Sequence, residues 1–236
     1  MMNRLFFLFK FTLLLSLSNM AKTQDQHIQI IRDKMQSDLE AIIDDYEGVA
    51  GVHVIDLSSG YRWAYRDKLV FPQASAIKIP ILLELFRRAE SDPELLGRRV
   101  EMTDEVRTAG SGVLQVLTHG GSALSLEDYA IYMILHSDNT ATNVLIEQLG
   151  MEAVNKLSAS LGASKTLLQR KMIRPEQSLS GNENLSTPQE AALIMEKIES
   201  CDLPMSQQGC DRVRSILELY KDGAIRNPIP REVPIA

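Results

Sequence analysis

The sequence predicts an α/β protein of the α+β kind, a small antiparallel sheet beside a larger body of helices. Three observations predict it. Two short patterns rich in valine and alternating aromatics, GVAGVHVID and YRWAY, lie near the start, joined by the turn-prone Leu57-Ser58-Ser59-Gly60. After Pro72 the chain is dominated by apolar runs at helical spacing with recognisable starts and stops. With 236 residues, 44% hydrophobic and 24% charged, it is long enough to bury an ordinary core as one unit of one or two lobes.

The first residues read MMNRLFFLFKFTLLLSLSNMAKTQ. Arg4 supplies a basic start, and Leu5 to Leu17 is largely apolar apart from Lys10. Ser16, Ser18 and Ala21 are the small residues a signal peptidase requires. The expectation is an export signal over residues 1–21 and a mature domain over 22–236, periplasmic or secreted. A retained N-terminal anchor is the alternative. The apolar run is too short and too interrupted for a stable membrane span, and no cysteine follows it to carry a lipid.

In order, Ile31, Met35, Ile42 and Tyr46 recur at helical spacing and predict a surface helix packed on one face and stopped by Gly48. The two strands follow, then a brief extended piece, Lys68 to Phe71, ended by Pro72. A helix is predicted from Ser75 towards Glu90, with Pro80 in its early, tolerant part. Val100 to Gly121 reads as loops. Ser125-Leu126-Glu127-Asp128 resembles a capping signal before the apolar run Tyr129 to Leu135. Further helices are predicted over Thr140 to Leu149, closed by Gly150, and Met151 to Leu161, closed by Gly162. Residues 169–185 form a long polar loop, of the kind that carries function in compact domains. Thr187 and Pro188 then start a helix whose buried face is Ala191, Ile194, Met195 and Ile198. A last helix is placed at about Asp211 to Tyr220.

Composition excludes several classes of function. Without residues 1–21 the chain keeps 23 basic and 31 acidic residues, a net charge of −8, which argues against nucleic acid and anionic membranes as partners. The histidines at 27, 53, 119 and 136 lack zinc-ligand spacing, and no phosphate-binding loop or dinucleotide fingerprint occurs. No metal or cofactor is expected. Cys201 and Cys210 flank a Pro/Gly-containing loop; an exported protein could join them in a disulfide, or they could be free thiols.

The chemistry is expected in FPQASAIKIPILLEL, residues 71–85. Ser75 and Lys78, three residues apart, share one face of a helical turn. A serine hydroxyl needs a group to take its proton, and a lysine can do so when burial among Ile77, Ile79 and Ile81 lowers its pKa. A backbone N–H at the first turn could receive a developing oxyanion.

Ser-x-x-Lys alone is an unspecific motif. Its company makes it specific: A-G-S-G-V-L at 109–114, S-D-N-T-A-T-N at 137–143 and N-L-S-T-P at 184–188. In that order and at those gaps the chain resembles the class A β-lactamases, serine β-lactamases among the penicillin-recognising serine hydrolases, over nearly all of residues 22–236. The resemblance implies a β-lactamase/transpeptidase-like α+β sandwich, an all-helical lobe plus a five-stranded antiparallel sheet, acting as a monomer on a small β-lactam.

It also implies roles. Ser75 would be the acylated nucleophile, Lys78 its base or proton relay, and Ser137 the donor to the leaving nitrogen. Asn139 would bind the substrate amide and hold Lys78, Asn143 would brace the long loop, and Asp138 would be structural. The family's loop pattern Arg-x-Glu-x-x-Leu-Asn is met by Arg174-Pro175-Glu176-Gln177-Ser178-Leu179-Ser180. Glu176 then becomes the base for deacylation, Arg174 a structural partner, and Ser180 a substrate contact where asparagine is usual. The loop from Glu176 to Pro188 is shorter than in typical members. A second alignment pairs Arg170 with the pattern's arginine and leaves no glutamate in place.

Pro230 to Ala236 resembles the lead-in to the family's Lys-Thr-Gly strand, which the sequence does not reach. The expectation is a truncated reading frame, lacking the last three strands and final helix of the sheet lobe. Two other activities stay open: a related serine hydrolase such as a D-alanyl-D-alanine peptidase or an esterase, and a non-catalytic penicillin-binding or fragmentary protein.

Overall fold

The computed structural model describes residues 26–117 and 123–219. The expected export signal, His119 and the segment Pro230–Ala236 lie outside the described residues. The chain divides into two compact units, one up to Ala50 and one from Gly51 onward.

Among its described residues the first unit holds one helix, α1, residues 26–44. Pairs spaced four residues apart line it: Gln29 Nε2 donates to Asp33 Oδ1 and Lys34 Nζ to Asp38 Oδ2, both at 2.8 Å. Ile31, Ile42 and Tyr46, expected on a packed face, are exposed. An apolar stripe is buried only against a second element, and this unit's described residues supply none.

In the second unit, β1 (Val52–Ile55) and β2 (Arg62–Tyr65) pair antiparallel with Val52 opposite Tyr65 and Ile55 opposite Arg62. Gly60, at φ +71°, makes the turn, and Gly60 N donates to Asp56 O at 2.8 Å. Two smaller antiparallel pairs were not legible in the sequence. β3 (Phe71–Pro72) pairs with β6 (Leu185–Ser186), and β4 (Arg99–Glu101) with β5 (Ala123–Ser125). Strands of two or three residues are too short to show an alternating pattern.

The helical body is organised around α2 (Lys78–Ala89). Ile81, Leu82, Leu83 and Leu85 have no solvent exposure, because α3, α4, α5 and α8 pack around the helix. A helix covered on all sides is apolar all round. It begins three residues later than expected, since Ala74–Ile77 forms a 3-10 turn, and Pro80 therefore falls in its first turn. Glu84 is fully buried and answered by Arg87, whose Nε and Nη2 donate to its two oxygens at 2.7 and 2.8 Å. This hydrogen bonding raises the Arg87 pKa.

Starts and stops follow local chemistry. α3 (Leu126–Leu135) opens on a complete capping box: Asp128 N donates to Ser125 Oγ at 3.0 Å, and Ser125 N to Asp128 Oδ2 at 3.3 Å. α4 (Asn139–Leu149) starts at Asp138 and ends at Gly150, whose φ of +78° turns the chain into α5 (Met151–Ser160). The long polar loop contains a five-residue helix, α6 (Pro175–Leu179). α7 (Pro188–Glu199) starts at Thr187, whose hydroxyl accepts from Glu190 N at 3.1 Å, and it packs against β1. α8 (Gln207–Leu217) begins four residues before the sequence expectation, because Ser206 caps it by accepting from Gly209 N at 3.2 Å.

Cys201 and Cys210 form a disulfide with a Cα–Cα distance of 5.8 Å, tying the end of α7 to the first turn of α8. Closing so short a loop limits the unfolded chain by about 2–3 kcal/mol. Reduction should therefore lower the melting temperature by roughly 5–10 °C in a calorimeter. An unchanged transition in reductant would show that the bridge constrains nothing.

Candidate active site

Ser75 sits in the 3-10 turn ahead of α2, and Lys78 is the first residue of the helix. Their spacing places the two side chains together as expected: Lys78 Nζ is 3.2 Å from Ser75 Oγ. The junction of α3 and α4 comes down on the same point. Lys78 Nζ donates to Ser137 O at 2.6 Å and Asn139 Oδ1 at 3.0 Å, and lies 2.9 Å from Ser137 Oγ. Ser137 Oγ is in turn 2.9 Å from Ser75 Oγ.

Counting donors and acceptors shows what a neutral Lys78 can do here. Two of the four oxygens around Nζ are carbonyls and can only accept, so they take two N–H groups. A neutral amine then has its lone pair left for the two hydroxyls, in position to accept the Ser75 proton. Burial acts in the same direction, lowering the Lys78 pKa to about 8, opposed in part by the negative charge of Asp138.

The supporting turn is held from below. Asp138 Oδ1 accepts from Ala141 N at 2.9 Å, and Oδ2 accepts from Val113 N and Leu114 N at 2.7 and 2.8 Å. One buried carboxylate therefore caps α4 and pins the segment 110–114 to it. Two glycines permit this approach. A Cβ on Gly112 would stand 2.2 Å from Asp138 Oδ2, and one on Gly110 would stand 2.8 Å from Asn139 Nδ2; both have positive φ. Asn139 is oriented by donating from Nδ2 to Ala109 O at 3.2 Å. Among described non-glycine residues only five have positive φ, and three, Ala74, Ser137 and Ile173, adjoin this site. Backbone strain of that kind collects where surrounding structure fixes a functional geometry.

A cavity of about 380 Å³ opens over Ser75, with Ser111, Asn139, Arg170, Met172 and Ser178 in its walls. The long loop forms the outer wall. Asn143 holds it by accepting from Met172 N at 2.7 Å and donating to Met172 O at 3.4 Å. Asn184 repeats the device at the loop's base, with Oδ1 accepting from Gln169 N at 2.8 Å and Arg170 N at 3.1 Å. Arg170 pairs with Glu183 at 2.7 Å, and Glu183 also accepts from the Ser178 hydroxyl. Those bonds, Ser178 first and Arg170 next, hold the Glu183 carboxyl below its usual pKa.

The structure thus brings Ser75, Lys78, Ser137, Asn139 and Arg174 to one site, with Asp138 and Asn143 beneath it. Arg174 lines the cavity and donates from Nη2 to Glu105 O at 3.1 Å. Glu176 and Ser180 are not brought there. Pro175 starts α6, which leaves Glu176 exposed near its N-terminus and Ser180 exposed at its end, donating to Gln177 O at 2.8 Å. Met172 and Ser178 face the cavity instead. For Met172 the signal was the second alignment, through Arg170, whose third place it takes; Ser178 had none.

The profile of the β-lactamase enzyme family matches residues 34–236. β-Lactamase SME-1 of Serratia marcescens is 26% identical over 169 residues, covering 70% of this chain and 57% of that protein. The chain therefore spans little more than half the length of that relative. A β-lactamase structure from Sphaerobacter thermophilus is 32% identical with a TM-score of 0.70, covering 77% of this chain and 68% of its own. A variant of PBP-A, solved as an acyl-enzyme complex with penicillin G, is 27% identical with the same TM-score, covering 79% of this chain and 69% of its own. With Ser75, Lys78, Ser137 and Asn139 gathered on one helix junction and a family profile extending over most of the sequence, this chain is a member of the β-lactamase enzyme family.

Proposed function

We propose that the chain reacts with β-lactams by acylation of Ser75. The observation that carries this reading is the position of Lys78 Nζ, satisfied by two carbonyl oxygens and facing the Ser75 and Ser137 hydroxyls. Neutral Lys78 takes the Ser75 proton as Oγ attacks the lactam carbonyl. The new C–O bond forms, the carbonyl C–N bond breaks, and the proton passes through Ser137 Oγ to the departing nitrogen. Asn139, whose side chain lines the cavity, supports placement of the substrate amide. Completing hydrolysis requires water to cleave the resulting ester and return Ser75 to its free form.

The sequence of residues 1–21 supports export, and a disulfide is at home in an oxidising compartment. β-Lactam antibiotics act outside the cytoplasm, so resistance by interception there is the biological role the reading implies. Intact-protein mass spectrometry after incubation with penicillin G should show one added penicillin mass, and digestion should place it on the peptide bearing Ser75. A chain that remains unmodified at millimolar penicillin and leaves the penicillin unhydrolysed refutes the reading.

A further inference from the structure

Building an acyl-enzyme and hydrolysing it place different demands on a site. Acylation needs a base for Ser75, and Lys78 supplies one. Hydrolysis needs a base on the cavity side of the ester that takes a proton from water as it attacks the carbonyl, while the Ser75 oxygen leaves and is reprotonated. The cavity walls decide whether that group is present.

Met172 occupies the wall that should provide it. The side chain is 6% exposed, lines the same cavity as Ser75, and belongs to a residue whose backbone N–H and C=O are both held by Asn143. Asn143 lies on α4, one turn beyond Asn139, so Met172 is fixed relative to the catalytic group rather than free to swing away. Counted from Arg170, Met172 takes the third place of the Arg-x-Glu pattern. A thioether accepts no proton, and its apolar bulk occupies space that an attacking water would use.

Among the described residues no other wall group compensates: Lys78 is buried beneath Ser75 at 2% exposure and is not among the residues lining the cavity. Arg170 and Arg174 offer N–H donors and no acceptor for a proton. Of the nearby acids, Asp138 already accepts three backbone N–H groups, and Glu183 is engaged by Ser178 and Arg170. Glu147 is paired with Lys171 at 2.5 Å. Glu176 is exposed on α6 and is not among the residues lining the cavity.

We propose that Met172, held beside Ser75 by Asn143, leaves the site without a base for deacylation, so that the chain retains β-lactams as a long-lived acyl-enzyme. The protein is then an acylating β-lactam acceptor with slow turnover rather than a fast hydrolase. This rests on the acylation reading above.

The test labels the full chain with penicillin G, removes the excess, and follows the adduct by intact mass spectrometry. The wild-type adduct should persist for hours. Met172→Glu should shorten its lifetime by about 10²-fold or more. Met172→Gln, of the same shape but unable to take a proton, should not shorten it. Glu176→Gln should leave the lifetime unchanged, and this variant sits on an exposed surface where folding is not at issue. A wild-type adduct that decays within seconds overturns the proposal, as does one whose lifetime lengthens in Glu176→Gln. Absence of any adduct with the penicillin consumed likewise overturns the proposal, whereas absence of any adduct with the penicillin left intact overturns instead the acylation reading on which it rests.

Discussion

Lys78→Ala should lower the rate of Ser75 acylation by penicillin G by about 10²–10⁴-fold, the usual contribution of a positioned general base. Lys78→Arg should not restore it, because a guanidinium has no lone pair to offer the hydroxyl and stays charged. The wild-type pH profile gives a sharper check. With the Lys78 pKa lowered to about 8, the reactive neutral form is the minority below that pH. Acylation should rise as pH increases, level off above about 8, and be about tenfold slower at pH 7 than on the plateau. In Lys78→Ala the slope should vanish along with the rate. Wild-type acylation that is flat between pH 6 and 9 would remove Lys78 from the role of base.

This expectation was reachable from sequence because helical geometry alone joins residues three apart, and because Ser137-Asp138-Asn139 carries its own helix start. The strands β1 and β2, α3 with its capping box, and α7 with Thr187 and Pro188 were legible for the same reason: each is specified by residues close together in the chain. Contacts of long sequence range were not legible. The pairing of Phe71 with Ser186 involves strands of two residues each. The assignment of a base from the long loop depended on which arginine anchors it, and the letters favoured Arg174, which brings Glu176 and Leu179 into the pattern, over Arg170, which leaves no glutamate in place. What separates them is three-dimensional: Asn143 and Asn184 grip the loop at Met172 and Arg170, and Pro175 then starts a helix that carries Glu176 outward. The disulfide was likewise open in sequence, because only the fold brings the Cys201 and Cys210 Cα atoms to 5.8 Å.

Asp138 offers the second large effect, and it separates a structural carboxylate from a chemical one. Asp138→Ala removes the acceptor for Ala141, Val113 and Leu114 N–H, two of them in buried surroundings. At about 1–3 kcal/mol for each buried donor left unpaired, the expected loss is about 2–5 kcal/mol, a large share of ordinary stability. The melting temperature should fall by roughly 5–15 °C. Asp138→Asn should recover little of this. Its amide keeps one oxygen for Ala141 but turns an NH₂ group towards the N–H groups of Val113 and Leu114, donor against donor. The negative charge also acts at a distance, since Asp138 is the group that partly offsets the effect of burial on Lys78. Removing it should lower the Lys78 pKa further, so the break in the acylation profile moves to lower pH in molecules that remain folded. A stability loss accompanied by an acidward shift fits one carboxylate that braces the helix junction and tunes the base. A stability loss with the break still at about 8 would confine Asp138 to the scaffold.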